Sequence, residues 1–135
     1  MITLRRGSLD TNIILRLILQ DNIQHYNLAK KLVFKQGVRF FVSDVVLFEC
    51  VYAFETYYDF SRIQIEEVIK SFLMQKNIDC NRELTLDALT RYVKHTSLSY
   101  ADCYLAASAA FMNAAPLWTF DKALAQKVPD AKLLR

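Results

Sequence analysis

Two glycines and two prolines in 135 residues leave this chain little material for tight turns. A β-sandwich needs a turn roughly every 8–12 residues, usually built with Gly, Pro or Asn. An all-β architecture is therefore excluded, and helix must carry much of the fold. Hydrophobic residues make up 53% and charged residues 23%, which is enough apolar material for a core and rules out intrinsic disorder. The length suits one domain spanning 1–135.

Short β-branched and aromatic runs alternate with helical patterns. Val38–Val42 and Pro116–Thr119 read as buried strands, Asn77–Cys80 as a short edge strand and Lys132–Leu134 as a final strand. Between them lie an apolar helical stretch over Leu9–Leu19 and a helix over Gln24–Gln36. The second has Leu28, Leu32 and Val33 on its face and Gly37 as its C-cap. Ser43 starts a helix to about Tyr58, and Ser61-Arg62-Ile63-Gln64 has capping-box spacing for a helix to about Lys76. Helices over Glu83–His95, from Ser99 to Asn113 and over Lys122–Gln126 complete the pattern. Alternating strands and helices predict a parallel sheet covered on both faces, an α/β class.

Four acids sit in apolar surroundings. Glu49 has Val45, Val46, Tyr52 and Ala53 three and four residues away, so its helix face is apolar. Asp102 has Leu98, Leu105 and Ala106 at the same offsets; Asp10 and Asp121 follow strand candidates. A lone buried carboxylate costs several kcal/mol or shifts its pKa until neutral. Four together need cations, and an all-oxygen set suits hard ions such as Mg²⁺ or Mn²⁺. The carboxyl ends of parallel strands, where Asp10 and Asp121 would project, are where α/β sheets gather ligands. The competing reading makes Asp10 and Asp121 N-caps and Asp102 the acid of its capping box. Glu49 has no such capping role.

The stretches Leu9-Asp10-Thr11-Asn12-Ile13-Ile14-Leu15-Arg16, Ser43–Glu49, Ser99-Tyr100-Ala101-Asp102 and Thr119-Phe120-Asp121-Lys122 together resemble the PIN domain family. The resemblance is to the VapC-type toxin ribonucleases of toxin–antitoxin pairs in particular, and it runs over nearly the whole chain. It implies a three-layer α/β/α sandwich with a mainly parallel central sheet, and a Mg²⁺- or Mn²⁺-dependent endoribonuclease using one or two ions. By motif position the site acids are Asp10, Glu49, Asp102 and Asp121, with Asp10 and Asp102 as direct metal ligands. Thr11, Asn12 and Thr119 would be supporting polar residues; Arg16, one turn after Asn12, and Lys122, next to Asp121, read from their positions either as phosphate contacts or as ordinary solvated charges. The implied partners are RNA, an antitoxin protein and a second copy of the chain. A catalytically inactive PIN-fold binding or scaffold protein is the alternative. One segment departs from the family: Leu4-Arg5-Arg6-Gly7-Ser8 stands where an apolar strand normally runs into the first Asp, and reads as a poor central strand.

The remaining features are weaker. A net charge of +3 alone does not mark a nucleic-acid binder. Removing the four site acids leaves seventeen cations facing ten carboxylates, a basic surround for a polyanion. Cys50, Cys80 and Cys103 form no CxxC pair, so reduced thiols in a cytoplasmic protein are expected. Cys50 and Cys103 read as core residues, and His25 and His95 as surface histidines. Phe54, Tyr57, Tyr58 and Phe60 fit either core packing or an interface. Met1–Asp10 lacks the apolar run of a secretory signal. The charge-free run Cys103–Phe120 contains Ser108, Asn113 and Pro116 and reads as a buried helix and strand, not a membrane span.

Overall fold

The computed structural model describes residues 5–135. They form, in order, β1 (Arg5–Ser8), α1 (Thr11–Leu19), α2 (Ile23–Val33), β2 (Val38–Phe41), α3 (Asp44–Tyr57), α4 (Arg62–Leu73) and β3 (Ile78–Asp79). Then follow α5 (Arg82–Lys94), α6 (Tyr100–Phe111), β4 (Leu117–Thr119), α7 (Lys122–Lys127) and β5 (Ala131–Leu133). Every strand pairing is parallel, and the class is α/β. The pairing is carried by two ladders, β1-β2-β3 and β4-β5, where one central sheet was expected. The chain divides into two compact units, the first ending at Asn81 and the second running from Arg82 to Arg135. No helix among the described residues is long and apolar enough to cross a membrane.

In the first unit β2 lies between β1 and β3, with Gly7 opposite Phe40 and Phe40 opposite Ile78. The Arg5–Ser8 segment is therefore a strand after all, on the outside of its ladder. Backbone hydrogen bonding forms it without an apolar side-chain pattern; Leu4 lies outside the described residues. Gly7 suits that place, because a Cβ there would stand 3.2 Å from two atoms of the buried Phe40 ring. Arg39 on β2 donates two hydrogen bonds to the Asp79 carboxylate on β3, a bidentate clamp across the ladder. The core collects Ile14 and Leu15 of α1, Leu47, Val51 and Phe54 of α3, and Ile65, Ile69 and Leu73 of α4.

The helix starts follow the expected caps. Ser43 Oγ accepts from Val46 N–H, and Ser61 and Gln64 form a complete capping box. Two expectations for α2 fail. Its C-cap is Phe34, and Gly37 takes φ +77° in the turn that leads to β2. Leu28 and Leu32 are exposed while Ala29 and Val33 are buried, so the buried stripe is offset by one residue from the bulkier apolar one. Asn22 fixes the helix's start by accepting from His25 N–H, and burying small Ala29 lets α1 and α2 pack closely.

In the second unit α5 packs on α6, with Tyr92 edge-on to Tyr100 at 5.7 Å. Leu89, Leu98, Ala106 and Leu124 are buried. β4 and β5 pair with Trp118 opposite Lys132, and α7 connects them.

Candidate active site

Asp10 ends the loop after β1 and caps α1, its Oδ1 accepting from Ile13 N–H at 3.2 Å. The cap fixes where α1 begins, and so where Thr11 and Asn12 stand in its first turn. Because α1 packs on α3, Thr11 Oγ1 reaches Glu49 Oε2 and donates to it at 3.1 Å. Two of the sequence motifs are thereby joined side chain to side chain across 38 residues of chain. Both carboxylates also act on the thiol between them in electrostatic range: burial first, then Glu49, then Asp10 push Cys50 up to about 12. A buried thiol facing two negative charges stays protonated, so Cys50 is a packing residue, as the sequence suggested.

Glu49 corrects the sequence reading in one respect. Its carboxylate is exposed, and so are the flanking Val45 (64%) and Tyr52 (60%). The apolar face around it is only partly covered: Ala53 is buried and Val46 half-buried, but Val45 and Tyr52 face solvent, while α3 buries Leu47, Cys50, Val51 and Phe54. Helical periodicity marks an apolar face without saying whether the chain itself covers it. Thr11 and Glu49 line a depression of about 410 Å³ with Phe48, Tyr52 and Tyr57. Tyr52 and Phe48 were not singled out as site residues; their offsets from Glu49, three residues and one, were the available signal.

Asp10 and Asn12 also line a groove of about 360 Å³ with Arg16, His25, Leu28 and Leu32. Arg16 is held there by Asp21 at 3.0 Å and donates to the Tyr58 hydroxyl at 3.1 Å. Its charge is partly answered within the unit. Of the aromatic set, Phe54 is buried and stacks on Phe60 at 4.9 Å, whereas Tyr57 is exposed and edge-on to Tyr52. Core packing and an uncovered face are both represented.

In the second unit Asp102 occupies the first turn of α6, half-buried, its backbone N–H donating to Ser99 Oγ at 3.1 Å. Asp121 caps α7 by accepting from Leu124 N–H, and its own N–H donates to Thr119 Oγ1 at 2.9 Å. Thr119 thus sets the turn that presents Asp121, and the exposed Lys122 follows it at the start of α7. The capping roles foreseen for Asp10 and Asp121 are both present. A cap uses one carboxylate oxygen here, which leaves the other for a further partner. Within either unit, no three His, Cys, Asp or Glu side chains among the described residues are grouped to hold a metal ion. The donors themselves are hard carboxylate oxygens at exposed or half-exposed positions, the type that suits Mg²⁺ or Mn²⁺.

The PIN domain family model matches residues 8–128, a span that contains all four acids. Among solved structures, the chain is similar to the crystal structure of VapBC2 from Rickettsia felis bound to a DNA fragment from their promoter. Identity is 20% and the TM-score 0.40, with 96% of this chain and 97% of that chain covered. No curated protein matches. From the family match over residues 8–128, the chain belongs to the PIN domain family.

Proposed function

We propose that this chain is a single-domain endoribonuclease over 1–135, dependent on Mg²⁺ or Mn²⁺, and the toxin of a cytoplasmic toxin–antitoxin pair. The observation that carries the reading is the Thr11–Glu49 hydrogen bond beside Asp10, within a chain of the PIN domain family. It brings the glutamate of the second motif to the first turn of the helix that Asp10 caps.

Asp10, Glu49, Asp102 and Asp121 would hold the metal, Asp10 and Asp102 directly. A bound ion would polarise the scissile phosphate and make its water more acidic. The chain's own residues do the positioning. Thr11 holds the Glu49 carboxylate by one oxygen, Asn12 adds an amide in the same turn, and Thr119 fixes the turn bearing Asp121. Lys122 meets the phosphate backbone, with Arg16 as a second cation when a phosphate competes with Asp21. The exposed face of α3, with Val45, Tyr52 and Tyr57, is where the antitoxin or a second copy would dock.

Incubating a labelled single-stranded RNA with the protein and Mn²⁺ tests this. Endonucleolytic fragments are expected from the wild type and not from Asp10→Asn or Asp102→Asn. Cleavage by Asp102→Asn at the wild-type rate would refute the assignment, and a wild type that never cleaves would leave a PIN-fold binding protein.

A further inference from the structure

Helices α1 and α3 of the first unit are tied at two places. Near the start of α1 the tie is Thr11 to Glu49. Near its end it is Arg16, whose Nη2 donates to the Tyr58 hydroxyl at 3.1 Å across 42 residues of chain. Asn12 and Arg16 are four residues apart on α1 and share a helix face, and both line the groove of about 360 Å³ that Asp10 also borders. Tyr58 directly follows α3 and is half-buried. The Arg16 side chain is only 20% exposed, and among the described residues its charge is paired with one carboxylate. Nη1 meets both oxygens of Asp21, at 3.0 and 3.2 Å. Nη2 has the neutral hydroxyl, and the buried Nε–H has no partner among the described residues.

The two partners differ in how firmly they hold. Asp21 lies in the turn between α1 and α2 with its side chain 41% exposed, and exposed ion pairs are weak and screened by salt. The Tyr58 bond is part-buried and carries no charge on the acceptor. An arginine that only fastens two elements has its fork answered by fixed acceptors, as Arg39 has in its two bonds to Asp79. Arg16 is instead held at one nitrogen by a neutral group that leaves its charge uncancelled. At another it is held by an anion that a second anion can replace.

We propose that Tyr58 is a positioning residue: its hydroxyl fixes the Arg16 guanidinium at the groove that Asp10 borders, so that Nη1 can pass from Asp21 to a phosphate oxygen of the substrate. Asp21 is the competing anion that covers the cation until then. The inference deepens the nuclease reading and rests on it for the choice of RNA. It assigns the two residues that set the availability of Arg16, and neither lies in the four motif stretches.

The anisotropy of a labelled single-stranded RNA, titrated with the full chain in EDTA over a series of salt concentrations, reads the contact without cleavage. Arg16→Ala should weaken binding and lower the log–log salt slope by about one. Tyr58→Phe keeps the ring and removes only the hydroxyl. It should weaken binding about three- to tenfold, the range of one hydrogen bond. Asp21→Asn removes the competitor and should tighten binding about two- to fivefold. In an Arg16→Ala background both effects should vanish, because each acts through that cation. A tie that is only structural would move the melting temperature and leave RNA affinity alone. A wild type that does not bind, Tyr58→Phe with unchanged affinity, Asp21→Asn that binds no tighter, or effects that persist without Arg16 would each overturn the proposal. Asp21 is exposed, so its variant decides the matter should Tyr58→Phe fail to fold. The two readings also separate. The expected binding pattern without cleavage in Mn²⁺ defeats the nuclease reading alone, and cleavage with both variants binding as the wild type does defeats this one alone.

Discussion

Thr11 is the residue that ties the first unit's two motifs together. Its hydroxyl donates to Glu49 at 3.1 Å in an exposed setting, so the bond is worth well under about 1.5 kcal/mol to stability. If its role is to orient a carboxylate, the cost of losing it appears in activity. Thr11→Val should lower the RNA cleavage rate about 10- to 100-fold, the usual effect of removing such an outer partner. Thr11→Ser should restore most of the rate, and melting should shift by no more than a few degrees in either variant. Equal rates in Thr11→Val and wild type would show the hydroxyl to be incidental. Cys50 makes a second prediction. Its thiol is pushed from 9.0 to about 12 by burial and by the charges of Glu49 and Asp10. A folded-state pKa above the unfolded one means that the unfolded chain loses its proton first. The thiol's contribution to stability is therefore complete below about pH 9 and is lost as pH rises toward 12. Cys50→Ala should show a shallower decline in denaturation midpoint over that window, compared with wild type in parallel urea titrations. Aspartates at helix starts were legible from sequence because caps obey short-range rules. The exposure of Glu49 was not, because it depends on which face of α3 the rest of the chain covers.

At the scale of elements, the helix starts were the most readable part of the chain. Ser43, Ser61 and Ser99 each cap the helix that the spacing assigned to them, since an N-cap is decided by residues three apart. The Ser61–Gln64 box satisfies two backbone donors at once. Ser61→Ala should cost about 1 kcal/mol, measurable as a lowered urea midpoint without a change in slope. Positions whose outcome depends on distant contacts were harder to read. The first strand looked unsuitable because Arg5, Arg6, Gly7 and Ser8 lack an apolar pattern, yet pairing with β2 forms it. Gly7 is chosen there by the Phe40 ring across the ladder, a neighbour 33 positions away that no local pattern announces. Gly7→Ala should destabilise the protein by about 1 kcal/mol or somewhat more through overpacking. An unchanged midpoint would mean that the Phe40 ring yields without cost. The offset stripe of α2 has the same origin: Leu28 and Leu32 look like core residues by size, but packing on α1 buries Ala29 and Val33 instead.

For the molecule as a whole, the α/β class with parallel strands was legible from the alternation of short apolar runs and helices. Its division into ladders of three and two strands was not. Pairing partners are set by long-range geometry, and β3 to β5 are only two or three residues long. Family membership follows from the match over residues 8–128, and the order of Asp10, Glu49, Asp102 and Asp121 along the chain had already pointed there. Metal-dependent chemistry at those acids is the central claim. The most direct test is the melting temperature of three proteins, wild type, Asp10→Asn and Asp102→Asn, each in EDTA and in Mn²⁺ at a hundredfold excess over its dissociation constant. A ligand that binds only the folded state adds about 2.7 kcal/mol at that concentration. For a domain of this size that is a rise of roughly 5–20 °C. The account predicts such a rise for the wild type and its loss in both variants, which in EDTA should melt at or above the wild-type temperature because like-charge repulsion is relieved. A wild type that melts at the same temperature with and without Mn²⁺, or variants that respond to it as the wild type does, would contradict the account.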